Sequence, residues 1–232
     1  EMAVDDDAIR KNPFKFKLSD AIPKDASLRD ALSKSQQEQY LRSLREYGRG
    51  NYYDDIEILL QTGLRVSELY GLTVNDVDFS RRRIYINKQL CRTADRPKTK
   101  SGVRYIPLTD RADMAFRRVL NNRKTPETEM QVDGYTGFIF LDKDGRPKTA
   151  MHLQNYMRGL QAALVKEYEG FPRVTPHVLR HTFCTNMQQA GIDVKSLQAL
   201  MGHSNVSVTL DVYTHTDYNS VEAAFNRVAV NL

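Results

Sequence analysis

The sequence predicts a mainly α-helical domain with a small antiparallel β-sheet, an α+β fold. Apolar residues recur at helical spacing along most of the chain, and glycines interrupt the pattern where helices should end. Only residues 83–88 and 103–108 alternate in the manner of paired strands. A length of 232 residues suits one domain, or one domain with a tail.

Three helices are predicted in the first third of the chain. Ser33 and Gln36 form a capping box ahead of an apolar stripe made by Tyr40, Leu41, Leu44 and Tyr47. A second helix is predicted over residues 52–62, with Gly63 as its left-handed end. A short third helix should begin beside Arg65.

The middle of the chain should form the sheet. Residues 83–88 (RIYINK) and 103–108 (VRYIPL) are predicted to pair, with a basic connection between them. A helix follows over residues 109–121, with Met114, Ala115 and Val119 facing inward. A polar loop then leads to a short strand at 138–141. Four further helices are predicted at 151–168, 176–189, 193–201 and 207–213.

Charge favours an anionic partner. The chain has 34 Lys and Arg against 29 Asp and Glu. Between Arg81 and Arg104 there are nine basic residues against one acid, Asp95, which indicates a presented basic edge or else a solvated loop. Cys91 and Cys184 suggest neither a disulfide scaffold nor a zinc motif, and no apolar run is long enough to cross a bilayer. We therefore expect a cytoplasmic protein.

Four motifs suit phosphodiester chemistry: TGLRVSEL at 62–69, PHVLRH at 176–181, MGH at 201–203 and DVYTH at 211–215. An arginine offers a charged, planar fork of donors that fits phosphate oxygens. If a helix starts at Pro176, its N-terminal end carries His177, Arg180 and His181 close together. The N-terminal end of a helix already favours anions. A zinc site through His177 and His181 is the alternative, but it lacks the glutamate of HExxH and a cysteine pair.

In order and spacing, these motifs resemble the catalytic domain of the tyrosine recombinases, from about Leu32 to Tyr213. Thr185-Asn186-Met187 and the VYTH motif resemble integrases of phages and conjugative transposons. The resemblance implies a mainly helical catalytic domain with a three-stranded edge sheet. It also implies a recombinase that cleaves and rejoins DNA through a 3′-phosphotyrosyl link, without a metal or other cofactor.

The resemblance also implies a role for each candidate residue. Arg65, Arg180 and His203 would hold the phosphate, Tyr213 would attack it, and His177 would assist proton movement. One lysine of the strand connection, Lys98 or else Lys100, would protonate the leaving oxygen. Glu68 would support Arg65, and Lys100 and Arg104 would contact DNA. Tyr218 competes with Tyr213 for the role of nucleophile, but its surroundings do not match the motif.

We expect three segments. Residues 1–26 would be a linker and N-terminal extension, 27–216 the catalytic domain, and 217–232 a tail helix that folds back or docks on a neighbouring protomer. The acidic start (EMAVDDDAIRKNP) suggests a fragment lacking an N-terminal DNA-clamping domain, and residues 93–97 suggest a shortened connection. Expected partners are double-stranded DNA, three further copies of the chain on that DNA, and accessory excision or bending proteins. For the isolated domain, a monomer is the alternative to this tetramer.

Three other functions remain open from the sequence. A topoisomerase of the tyrosine type would share the chemistry but relax supercoils. A chromosome-dimer resolvase would differ only in its DNA substrate. A DNA-binding regulator without catalysis is less favoured, because the set of reactive residues is complete.

Overall fold

A computed structural model describes residues 31–46, 52–90, 94–95 and 102–203, with the backbone alone at 94–95. Over these residues helices dominate and a small antiparallel sheet interrupts them, so the predicted fold class is confirmed. The helices are α1 (Lys34–Glu46), α2 (Tyr53–Thr62), α3 (Val66–Tyr70), α4 (Asp110–Asn121), α5 (Ala150–Glu167), α6 (Pro176–Gln189) and α7 (Val194–Met201). The strands are β1 (Val77–Asp78), β2 (Arg83–Ile86), β3 (Gln89–Leu90), β4 (Ala94–Asp95) and β5 (Arg104–Pro107).

Local signals at the helix ends explain several of these bounds. Ser33 and Gln36 cap α1 reciprocally, with N···O distances of 2.9 and 3.2 Å, which confirms the predicted capping box. Gly63 ends α2 in the left-handed region (φ 62°) and donates its N–H to the carbonyl of Leu59. Gly202 ends α7 in the same way (φ 63°). Both glycines therefore turn the chain just before a candidate site residue.

The main sheet has the order β1-β2-β5 and is antiparallel throughout. Ile84 pairs with Ile106 on the buried face, while Tyr85 pairs with Tyr105 on the other face, where their rings stack 4.8 Å apart. β3 and β4 form a separate two-stranded ribbon. The predicted pairing of residues 83–88 with 103–108 is confirmed.

Two local predictions are wrong. Residues 138–141 form no regular strand, because Phe138 and Leu141 make only isolated bridges to Thr73 and Pro147. The third strand of the sheet is β1, whose two residues are too few to show a period in the sequence. Met114 faces solvent and is 51% exposed, while Ala112 and Phe116 join Ala115 in the core.

Helix α2 lies at the centre of the fold and packs against α4 and α6. Its buried side chains include Ile56, Ile58 and Leu59, which belong to the main core. A second, smaller cluster of Phe183, Cys184, Leu197 and Met201 joins α6 to α7. Since α6 touches both neighbours, it brings the turn after α2 close to the end of α7.

Several predictions fall wholly or mostly outside the described residues: the linker at 1–26, the helix at 207–213, the tail at 217–232, the shortened connection at 93–97 and the domain boundaries at 26/27 and 216/217. All of these stay predictions.

Candidate active site

Arg65 is fixed by the short helix that it precedes. Its backbone N–H donates to Glu68 Oε2 (2.9 Å), and its Nη1 donates to Glu68 Oε1 (2.8 Å). The Arg65 side chain is 38% exposed, whereas the Glu68 side chain is 2% exposed. The carboxylate therefore holds the guanidinium from beneath and leaves it accessible to a ligand.

Arg180 comes to the same carboxylate from α6. Its Nη1 lies 4.0 Å from Glu68 Oε2 and donates to the carbonyl of Gly63 at 2.6 Å. Its Nη2 donates to the carbonyl of Met201, at the end of α7. Arg180 is buried, so three segments of the fold fix its direction. The two arginines that the sequence selected thus converge around Glu68.

Glu68 is the negative centre of this cluster. Burial alone would raise the pKa of its carboxyl, but hydrogen bonds and charge from Arg104, with further contributions from Arg65 and Arg180, hold that pKa below its ordinary value. Burial, and then the positive charge of Arg65, lower the pKa of Arg180 to about 9, which leaves the guanidinium charged at neutral pH. Three guanidinium groups face one carboxylate, so the cluster carries an excess of positive charge.

His203 stands next to this cluster. It follows the left-handed Gly202, its N–H donates to the Gln198 carbonyl (3.3 Å), and the Gln198 amide donates to the His203 carbonyl (3.1 Å). Partial burial, followed by the charges of Arg180, Arg65 and Arg104, lowers the pKa of the imidazole to about 4. At neutral pH His203 is therefore a neutral hydrogen-bonding group beside two candidate phosphate ligands.

The two histidines of the PHVLRH motif lie on α6, the helix that also carries Arg180. Helix α6 begins at Pro176, as the sequence predicted, and Thr175 caps it by accepting the N–H of Val178. His177 is exposed in that turn, one turn before Arg180, and His181 is half-buried. The helix thus presents His177 to solvent at the end where free amides favour an anion.

Arg104 occupies a position that sequence reasoning missed. Its side chain is 6% exposed and donates to both oxygens of Glu68, at 3.1 and 3.0 Å. Lys88 was also expected on the exposed basic edge, and this prediction is wrong, because Lys88 is buried in an ion pair with Asp76. Strand alternation could have shown the burial of Arg104, because it shares a face with Ile106. Its predicted contact with DNA stays a prediction.

Four candidate residues lie outside the described residues: Lys98, Lys100, Tyr213 and the competing Tyr218. Their roles stay predictions. Within the described part of the chain, no group of three or more His, Cys, Asp or Glu side chains is arranged to hold a metal ion. None of the helices described is both long and apolar enough to span a membrane.

The arrangement can bind a tetrahedral anion. Among the described residues, two guanidinium groups and one imidazole, supplied by three separate segments, lie near Glu68, whose carboxylate is already paired. Charges fixed in advance in this way stabilise the extra negative charge that builds up on a phosphate under attack.

Comparisons with known proteins agree with this chemistry. Residues 26–220 match the phage integrase family. The transposase from transposon Tn916 of Enterococcus faecalis is 41% identical over 241 aligned residues, which cover 98% of this chain and 58% of that protein. The tyrosine recombinase XerC of Bacillus subtilis is 33% identical over 69% of this chain and 47% of its own length. This chain thus spans about half the length of the curated relatives it matches.

A solved structure is similar over almost the whole chain. It is the integrase of transposon Tn1549 in complex with transposon right end DNA. The match has a TM-score of 0.84 and 42% identity, and it covers 98% of this chain and 75% of that one.

Proposed function

Because this chain belongs to the phage integrase family, the tyrosine recombinases, we propose that it carries out site-specific DNA recombination that integrates or excises a mobile element. The convergence of Arg65 and Arg180 on one buried carboxylate is the observation that carries the proposal. In a site of this kind, two guanidinium groups from different segments of the chain bind the oxygens of one phosphate. The 41% identity to the Tn916 transposase over nearly the whole chain supports the mobile-element substrate over a chromosomal one.

In the proposed reaction the Tyr213 oxygen attacks a backbone phosphorus. The new P–O bond forms as the bond from phosphorus to the 5′ oxygen breaks, which leaves a 3′-phosphotyrosyl link and a free 5′ hydroxyl. A free tyrosine phenol has a pKa near 10, so the proton of Tyr213 must be removed for the attack at neutral pH, and His177 assists that transfer. Lys98, or Lys100 in its place, gives the leaving 5′ oxygen its proton.

Arg65, Arg180 and His203 act on the non-bridging oxygens. Their charges and N–H donors stabilise the phosphorane-like transition state more than the ground state. The covalent link conserves the energy of the phosphodiester, so a 5′ hydroxyl from another strand can reverse the step without ATP. The arginines supply the positive charge that a metal ion would otherwise provide, and we propose that the reaction needs none.

The partners follow from this chemistry. Exchange of two strand pairs requires four active sites, so we propose a tetramer assembled on double-stranded DNA, with the tail at 217–232 docking between protomers. The Tn1549 integrase in complex with transposon end DNA supports the choice of DNA. We further propose that the protein works in the bacterial cytoplasm, together with accessory excision or bending proteins.

A nicked suicide duplex carrying an element end tests the proposal. We expect a covalent protein–DNA adduct that survives denaturation, forms in EDTA, and disappears in Tyr213→Phe. Tyr218→Phe is the matched control and should form the adduct as the wild type does. The reverse pattern would reassign the nucleophile. Relaxation of supercoiled plasmid without strand exchange would support the topoisomerase alternative, and no adduct with any duplex would support the regulator.

A further inference from the structure

Arg104 is the most deeply engaged cation of the site. It begins β5 opposite Ile86, on the buried face of the sheet. Its Nε donates to the carbonyl of Leu200 at 2.7 Å, and its Nη1 donates to the carbonyl of Gly102 at 3.0 Å. Together with the two bonds to Glu68, four of the five N–H donors of this guanidinium point to protein atoms.

The contact with Glu68 determines how Glu68 can hold Arg65. Arg104 takes both carboxylate oxygens in a fork, and the same oxygens accept the N–H and Nη1 of Arg65. With its acceptor positions filled, the carboxylate cannot rotate to form a closer pair with Arg180, which stays 4.0 Å away. Arg104 therefore sets the plane of the group that orients Arg65.

The contact with Leu200 acts on the opposite side of the site. Leu200 lies in the last turn of α7, and the next residue, Met201, gives its carbonyl to Arg180. Two residues further on stands His203. A single side chain thus ties the orientation of Arg65 to the end of the helix that presents His203.

We propose that Arg104 is a positioning residue, which aligns Arg65 through Glu68 and His203 through the end of α7. This inference rests on the proposed recombinase function and replaces a direct phosphate contact as the role of Arg104. A lysine cannot take its place, because one ammonium cannot bridge both oxygens of Glu68 and the Leu200 carbonyl at once.

Single-turnover cleavage of the suicide duplex distinguishes the two roles. We expect Arg104→Met and Arg104→Lys both to slow adduct formation by about 100-fold, since small misplacements of catalytic groups have effects of that size. DNA affinity and its salt dependence should stay at the wild-type values. If Arg104 instead contacts a phosphate, Arg104→Lys will be nearly normal and Arg104→Met will lower the salt slope by about one, which would overturn the proposal.

Arg111 provides the matched control. It also forms a two-point pair with a buried glutamate, Glu57, but its side chain is 54% exposed and lies on α4. Arg111→Met should cleave DNA at the wild-type rate. A loss equal to that of Arg104→Met would show that any broken glutamate pair slows cleavage, and would contradict the proposal.

A double-variant cycle tests the route through Glu68. If Arg104 acts through that carboxylate, the double variant of Glu68→Gln and Arg104→Met will cleave DNA almost as fast as Glu68→Gln alone. Rate losses that multiply independently would overturn this route. Thermal unfolding of each variant verifies that it is folded, and Arg104→Lys carries the comparison if Arg104→Met does not fold.

A titration of His203 by NMR needs no cleavage. Among the described residues, the charges that act on this imidazole are Arg65 at the start of α3, Glu68 on α3, Arg180 on α6 and Arg104 on β5. Arg104→Met removes a repelling charge and leaves Glu68 less neutralised, so the pKa of His203 should rise from about 4. An unchanged value would overturn the proposal. Failure of the wild type to form any adduct would refute the proposed function, while this titration would still decide the placement of Arg104.

Discussion

The guanidinium of Arg180 donates a 2.6 Å hydrogen bond to the carbonyl of Gly63, two residues before Arg65. This bond joins α6 to the turn after α2, and it places the second arginine of the site relative to the first. Because the acceptor is a backbone oxygen, its position depends on the shape of the turn and on no particular side chain.

The first prediction concerns Arg180→Lys. Lysine keeps the charge but cannot reach the carbonyls of Gly63 and Met201 together, so its ammonium will not hold the same position. We expect adduct formation to fall by about 100-fold, with DNA affinity almost unchanged. Arg118→Lys, at a surface pair with Asp54, is the control and should be unaffected. A rate within about threefold of the wild type would show that geometry at Arg180 does not matter.

The second prediction concerns Gly63→Ala. A Cβ at this position would lie 2.3 Å from Cδ1 of Phe183, and the residue has a φ of +62° that disfavours any side chain. We expect a loss of about 3 kcal/mol in the free energy of unfolding, measured with urea, and slower cleavage. Gly134→Ala is the matched control, since φ is +84° there but nothing lies within 4 Å. It should lose only about 1 kcal/mol. Equal losses would mean that the contact with Phe183 is not tight.

The third prediction concerns Glu68→Gln. The change leaves three guanidinium groups without their buried counter-charge, so we expect a loss of about 3 kcal/mol in the free energy of unfolding. Glu57→Gln should lose about 1 kcal/mol, because its partner Arg111 can return to water. Urea unfolding of both variants at neutral pH makes the comparison. A smaller loss at Glu68 than at Glu57 would contradict the central place of this carboxylate.

Comparison of the wild type with Glu68→Gln also gives a pH dependence. The folded pKa of Glu68 lies below its ordinary value of 4.5, so its stabilising contribution is present above pH 4.5 and is lost as the pH falls through the folded pKa. The wild type should therefore lose stability more steeply in acid than Glu68→Gln does. Parallel curves for the two proteins would show that the carboxyl is not held in its charged form.

The fourth prediction concerns the protonation of His203. Its pKa is about 4 in the free protein, so between pH 6.5 and about 4 the unfolded chain takes up a proton that the folded chain does not. The free energy of unfolding should therefore decrease as the pH is lowered from 6.5 to about 4. For His203→Asn this decrease should be smaller. A bound DNA phosphate brings negative charge to the imidazole, and NMR should then show a higher pKa. A pKa that stays the same on DNA would place His203 away from the phosphate.

The sequence predicted most of the helices, because their signals are local. The capping box at Ser33, the glycines at 63 and 202 and the helix start at Pro176 each act within a few residues, and each lies where it was expected. The convergence of Arg65 with Arg180 could be expected only from the resemblance to a family, since packing between α2, α6 and α7 creates it.

What the sequence did not show is decided by contacts between distant residues. Arg104 was read as part of a basic edge, but its partner Glu68 lies on another element and the two meet only in the folded chain. Phe138 is buried as expected of a strand, yet within the described residues it makes only an isolated bridge to Thr73. Met114 shows that one apolar residue in an amphipathic helix can face solvent when its neighbours Ala112, Ala115 and Phe116 occupy the core.

The central claim is that Arg65 and Arg180 stabilise charge on the non-bridging oxygens of one phosphate. Cleavage of a suicide duplex with a neutral methylphosphonate at the scissile position tests it most directly. On ordinary DNA we expect Arg65→Ala and Arg180→Ala each to slow cleavage by at least about 100-fold. On the methylphosphonate, where less charge needs stabilisation, the same variants should come within about tenfold of the wild type. An equally large loss on both substrates would contradict the account.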